Sequence, residues 1–127
     1  MMVTRELVVK TRNRSELVDI TDEVSRVVRE ARIGEGICCL YVPHTTAGVT
    51  INESADPSVR TDITTTLSAL VPQGAGYRHT EGNADAHVKA IIVGSSETLL
   101  VTGGRLLLGT WQGIVALLPF DKIQGCG

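Results

Sequence analysis

The sequence predicts an α+β domain with mostly antiparallel pairing, on three observations. The hydrophobic share (43%) is almost wholly aliphatic, with one Trp, one Phe and two Tyr; a core built from Val, Ile and Leu favours strands where these are β-branched. Two segments carry helix-start signals, Thr21-Asp22-Glu23 and Asp56-Pro57. Near the C-terminus, two apolar runs flank Gly103-Gly104, the signature of a hairpin with a two-residue turn. At 127 residues the chain (1–127) reads as a single domain, long enough for a core of its own.

Element by element, residues 3–10 form an N-terminal strand. Thr21 caps a helix with an acidic first turn, which carries Val24, Val27, Val28 and Ala31 on one face until Gly34 and Gly36 stop it. The short apolar run 36–42 reads as a buried strand, ended by Pro43, with His44 at its exit. Residues 49–52 alternate as a further strand. Asp56 as N-cap and Pro57 at the first helical position open a second helix, with Val59, Ile63, Leu67 and Leu70 inward, ending before Pro72. A Gly-rich polar loop covers 72–85, a length that marks a functional or a disordered segment. Residues 86–93 read as a strand with His87 and Lys89 on one face. The hairpin 97–108 comes next, and residues 114–118 make the last strand. The tally is about seven strands and two helices.

Composition excludes several classes. A formal charge of −2 lacks the basic footprint of a nucleic-acid binder. No apolar run is long enough to span a membrane, and the charged start has no signal-peptide core. Cys38 and Cys39 are adjacent and point to opposite faces of a strand, and Cys126 lies next to the last residue. They read as small core hydrophobes in a reducing cytoplasm, not as a disulfide or zinc framework.

The chemistry lies in three motifs. His44-Thr45-Thr46-Ala47-Gly48 and Tyr77-Arg78-His79-Thr80-Glu81-Gly82-Asn83-Ala84-Asp85-Ala86-His87-Val88-Lys89 hold all three histidines. Neutral imidazoles are common transition-metal ligands, and three of them leave a position open for water or substrate. The competing reading of each histidine is purely structural. Glu53, Glu81 and Asp85 are candidate acids, bases or partners that fix an imidazole tautomer; Asp56 reads instead as a helix cap. Thr45, Thr46 and the loop Gly109-Thr110-Trp111-Gln112 offer hydroxyl and backbone donors for an anion, with Lys89 and Arg105 as countercharges. Trp111 reads equally as a lid or a core anchor. No Walker or dinucleotide fingerprint is present.

Taken together, residues 44–53, 77–90 and 104–114 resemble the YjbQ family, small proteins also called secondary thiamine-phosphate synthases. The resemblance covers nearly the whole chain. It implies a YjbQ-like β-sandwich of seven strands in two sheets with two helices alongside, a homotrimer, and weak thiamine-phosphate synthase activity. By position it implies a polar cluster at His44, Thr45, Thr46, Asn52, Glu53, His79, Glu81, Asn83, Asp85, His87 and Lys89, with Thr110, Trp111 and Gln112 from the third motif. One departure bears on substrate: members continue with a Phe-Asp-Gly-Pro-Arg-type segment, whereas this chain has Phe120-Asp121-Lys122-Ile123 and lacks that arginine.

Two functions fit these residues. The first is a cytoplasmic, metal-dependent enzyme acting on a phosphorylated small molecule, either a thiamine-phosphate synthase-like transferase or a hydrolase. In it His44, His79 and His87 hold the metal; Glu53, Glu81, Asp85 and Lys89 are catalytic; Thr45, Thr46, Asn52, Asn83, Thr110, Trp111 and Gln112 bind substrate. Imidazole donors favour zinc over magnesium, which prefers oxygen. The second is a trimer that binds a metal or phosphometabolite without turnover.

Overall fold

The computed structural model describes residues 2–10, 15–119 and 125–126. The elements are β1 (Leu7–Val8), β2 (Ser15–Asp19), α1 (Thr21–Ala31), β3 (Gly36–Tyr41), β4 (Gly48–Glu53), α2 (Pro57–Leu70), α3 (Ala84–Val93), β5 (Ser96–Thr102), β6 (Arg105–Leu106), β7 (Gln112–Pro119) and β8 (Gly125–Cys126). Among the described residues the strands form two three-stranded sheets, β2-β7-β4 and β3-β5-β6, and a short β1-β8 pair. Every pairing is antiparallel. The expected α+β sandwich of two sheets therefore forms. Segment 120–123, where the chain departs from the family pattern, lies outside the described residues.

The core is organised by β7, which is buried on both faces. Ile114, Ala116 and Leu118 point into a cluster with Ile20, Val24, Val49 and Leu99, between the sheets and under α1. Val115 and Leu117 point the other way, to Leu17 and to Ile63, Leu67 and Val93 of α2 and α3. A central strand covered on both sides reads as an unbroken apolar run, as residues 114–118 do.

Several expectations change. Residues 86–93 belong to a third helix, α3, rather than a strand. Only a helix brings Asp85 and Lys89 together, at i and i+4, with Lys89 Nζ 3.7 Å from Asp85 Oδ2, and alanines at 84, 86 and 90 favour it. The N-terminal strand shrinks to Leu7–Val8. Thr21 is the first helical residue of α1, not its cap; its N–H donates to Asp19 Oδ1 at 2.8 Å, and Ile20 holds the N-cap position. Arg32, in the left-handed conformation, ends that helix before either glycine. On α2, Asp56 caps as expected, accepting from the N–H of Ser58 at 2.9 Å, but Leu70 faces outward at 71% exposure. β3 is covered on one face only: Ile37, Cys39 and Tyr41 are exposed, and among the described residues no element lies over the outer side of that sheet. The hairpin turn forms with positive φ at both Gly103 and Gly104, as its twist requires.

Candidate histidine cleft

The junction of β4 with α3 builds the site. Gly94 takes a positive φ of 99° and ends α3. Its carbonyl accepts from the Val49 N–H at 3.0 Å, while the Ser95 carbonyl accepts from the Val42 N–H at 2.8 Å. Gly48 makes this approach feasible: a Cβ there would stand 2.8 Å from the Gly94 oxygen and 3.0 Å from Val93. The two bonds tie both ends of the 42–48 turn to the C-terminus of α3, so His44 and Thr45 face the helix side that carries His87.

His44, Thr45, His87, Ile91 and Ser95 line a cleft of about 530 Å³. His87 also lines an adjoining cleft of about 350 Å³ with Tyr77, Arg78 and His79. The His79 and His87 rings meet edge to face, 5.1 Å between centroids. Volumes of this order suit a small metabolite. Glu81 lies 3.9 Å from His79 Nε2, with both side chains largely exposed, so their attraction is weak. Among the described residues no three His, Cys, Asp or Glu side chains close into a set that would hold a metal ion. Two of the expected ligands, His79 and His87, meet; His44 shares the larger cleft with His87 but does not line the one that holds His79.

The other expected residues separate into two groups. Asp85 and Lys89 are buried at 4% exposure each, and Lys89 Nζ donates to Ser68 of α2 at 3.4 Å. A helical turn of 100° per residue places Lys89 about 200° from His87, so Lys89 faces α2 and not the cleft, whereas Asp85 lines a further cleft of about 280 Å³ with Tyr77 and His79. Thr46 is buried beside exposed Thr45. Asn83 holds the N-cap position of α3 without a side-chain capping bond, and its Oδ1 is buried without a hydrogen-bond partner among the described residues.

Asn52, Glu53, Thr110, Trp111 and Gln112 gather at the far end of β4, where Glu53 pairs with Gln112. Six residues of β4 set them about 17 Å from Gly48. The Ser54 N–H donates to the Trp111 carbonyl at 3.2 Å, and Gln112 Oε1 accepts from the Gly109 N–H at 2.8 Å, closing the loop on which Trp111 stands 65% exposed. Trp111 is thus not a core anchor within this chain. Beneath the loop, Ser54 Oγ donates to Asp19 Oδ2 and Thr21 Oγ1 accepts from the Ile114 N–H at 2.8 Å. Burial pushes the Asp19 carboxyl up, but hydrogen bonds from Ser54 and Thr21 and the nearby Arg60 charge outweigh it and hold it below its ordinary value.

Sequence reasoning misses Arg78, which lines the cleft with the paired histidines, and names Lys89 and Arg105 as the countercharges. Arg105 stands on β6 in the other sheet. The signal for Arg78 is its place directly before His79.

The chain is similar to known proteins over most of its length. Residues 5–124 match the family described as UPF0047 protein YjbQ-like. The UPF0047 protein MJ1081 of Methanocaldococcus jannaschii is 53% identical over 106 residues, 84% of this chain and 77% of its own. The UPF0047 protein YugU of Bacillus subtilis is 47% identical over 111 residues, 87% and 84% of the two chains. Among solved structures, an uncharacterized conserved protein of the same family from Clostridium acetobutylicum superposes with a TM-score of 0.89 at 43% identity, covering 96% of this chain and 94% of its own. The hypothetical protein APE1520 of Aeropyrum pernix K1 gives a TM-score of 0.93 at 35% identity, covering 98% and 95%.

Proposed function

The chain belongs to the YjbQ-like UPF0047 family, and from that premise we propose that it is a homotrimeric, cytoplasmic, metal-dependent enzyme acting on a phosphorylated small molecule, with weak thiamine-phosphate synthase activity. The observation that carries this reading is the convergence of all three histidines on two adjoining clefts. Their donor chemistry fits zinc better than magnesium, since the cleft walls carry imidazoles and not a cage of oxygens. His79 and His87 would hold the ion, with His44 the third ligand. When bound, such an ion supplies Lewis-acid stabilisation of charge on a phosphoryl oxygen.

This chain's own residues then bind and orient. Thr45 presents a hydroxyl to the substrate anion from the cleft wall, and Arg78 supplies the positive charge beside the imidazoles. Glu81, exposed next to His79, is the carboxylate placed to accept a proton. Asp85 and Lys89 act from behind, fixing α3 against α2 so that His87 keeps its direction.

The second group of residues enters through assembly. Asn52, Glu53, Thr110, Trp111 and Gln112 stand too far from His87 to serve the same chain's cleft. In the homotrimer, the exposed Trp111 loop of one subunit would complete the cleft of the next. That arrangement would also cover Ile91, which lines the cleft and is 82% exposed.

Incubating the protein with a pyrimidine pyrophosphate and a thiazole phosphate, with and without added zinc, tests the reading. Metal-stimulated product that Glu81→Ala removes supports an enzyme. A specific alternative is a binding protein without turnover: Glu81→Ala and wild type would then hold metal and phosphate ester equally, and neither would form product.

A further inference from the structure

Away from the histidine clefts, α1, β3 and the N-terminal segment border a partly open cavity of about 140 Å³. Protein interiors leave few voids larger than a water molecule, and a water occupies about 30 Å³ of liquid volume. Val24 and Val28 of α1 and Leu40 of β3 contribute to its walls. Across the mouth runs the N-terminal strap, whose alternate residues Val3, Arg5 and Leu7 line the space. That alternation is the period of an extended chain; Val3 and Leu7 are half-buried, Arg5 is exposed at the rim, and the intervening Met2, Thr4, Glu6 and Val8 are exposed.

We infer that this cavity binds a small apolar monocarboxylate, its tail among the aliphatic side chains and its carboxylate on Arg5. Arg5 is the one charged residue among the sixteen described residues that line the space; the others are Val, Leu, Ile, Ala and Cys. Water is a poor occupant of such a site, because it needs two to four polar partners. An apolar cavity of about 150 Å³ accommodates a benzene-sized molecule, which sets the tail at about six carbons. The guanidinium carries five N–H donors in a fork that matches a carboxylate. Its bond to the Thr4 carbonyl, at 2.9 Å, occupies one nitrogen at the exposed rim. The charge at the mouth thus selects an anionic head, and the walls select an aliphatic tail.

The site shares no residue with the histidine clefts, so its test stands apart from the proposed enzyme function. Hexanoate and hexan-1-ol are titrated into the purified full chain at millimolar concentration, followed by calorimetry and by NMR of the Val, Leu and Ile methyl groups. Hexanoate should bind more tightly than hexan-1-ol and shift the Val24 and Val28 methyls. Arg5→Gln should weaken hexanoate by about tenfold and leave hexan-1-ol unchanged. Val28→Phe, or Ala31→Leu if the first does not fold, should abolish both by filling the space. Equal binding of the acid and the alcohol to wild type would overturn the anion assignment. Binding that survives a folded cavity-filling variant, or no methyl shift at all, would overturn the site.

Discussion

Asp19 is where a single side chain links the fold to pH. Its pKa lies below the ordinary value of 3.8 because Ser54, Thr21 and Arg60 outweigh the cost of its burial. A carboxyl whose folded pKa is depressed contributes stability that is present above its unfolded pKa and lost as pH falls through the folded one. Melting temperature should therefore fall below about pH 3.8 more steeply in wild type than in Asp19→Asn, measured by calorimetry across the acid range; parallel curves would show that Asp19 contributes nothing. Lys89 shows how much of the residue scale is legible in sequence. Its motif marks it as unusual, yet a strand would put it beside His87, whereas the helix turns it to the opposite side. Replacing it leaves the Asp85 carboxylate buried without its ammonium. Lys89→Met should cost on the order of 3 kcal/mol in denaturant unfolding, and Lys89→Arg, which keeps the charge, distinctly less.

Elements differ in legibility for reasons that lie in their signals. α2 is readable because Asp56 caps it and Pro57 starts it. β7 is readable because a strand covered on both faces is apolar at every position. α3 is not: its N-cap residue Asn83 makes no side-chain cap, its last three residues are Ile91, Ile92 and Val93, and its buried polar pair breaks any apolar stripe. The strap and β1 are held by so short a ladder that pattern alone overruns them. The contact of α3 with β4 depends on Gly48, whose position no periodicity marks. Gly48→Ala forces a methyl against the Gly94 carbonyl and should cost about 1–3 kcal/mol. The same change should disturb the amide resonances of His44 and Thr45; an unaltered spectrum at those residues would break the link between this contact and the cleft.

At the scale of the whole molecule, the family resemblance supplies what no local pattern holds, because the three motifs are distant in sequence and only the sandwich topology places them. That topology brings the first two motifs together at one end of β4 and leaves the third at the other. The proposed subunit-bridging site would account for that separation and for the exposure of Trp111 and Ile91. Light scattering coupled to size exclusion should give three times the 13.6 kDa chain mass, and Ile91→Asp should shift it to monomer; a monomeric wild type would contradict the bridging arrangement. The central claim, that the three histidines form one metal centre, is met most directly by elemental analysis of protein purified without chelators. The account predicts zinc near one equivalent per chain, lost in both His87→Ala and His44→Ala while each stays folded. Wild type free of metal after zinc loading and dialysis, or His44→Ala retaining the full equivalent, would contradict it.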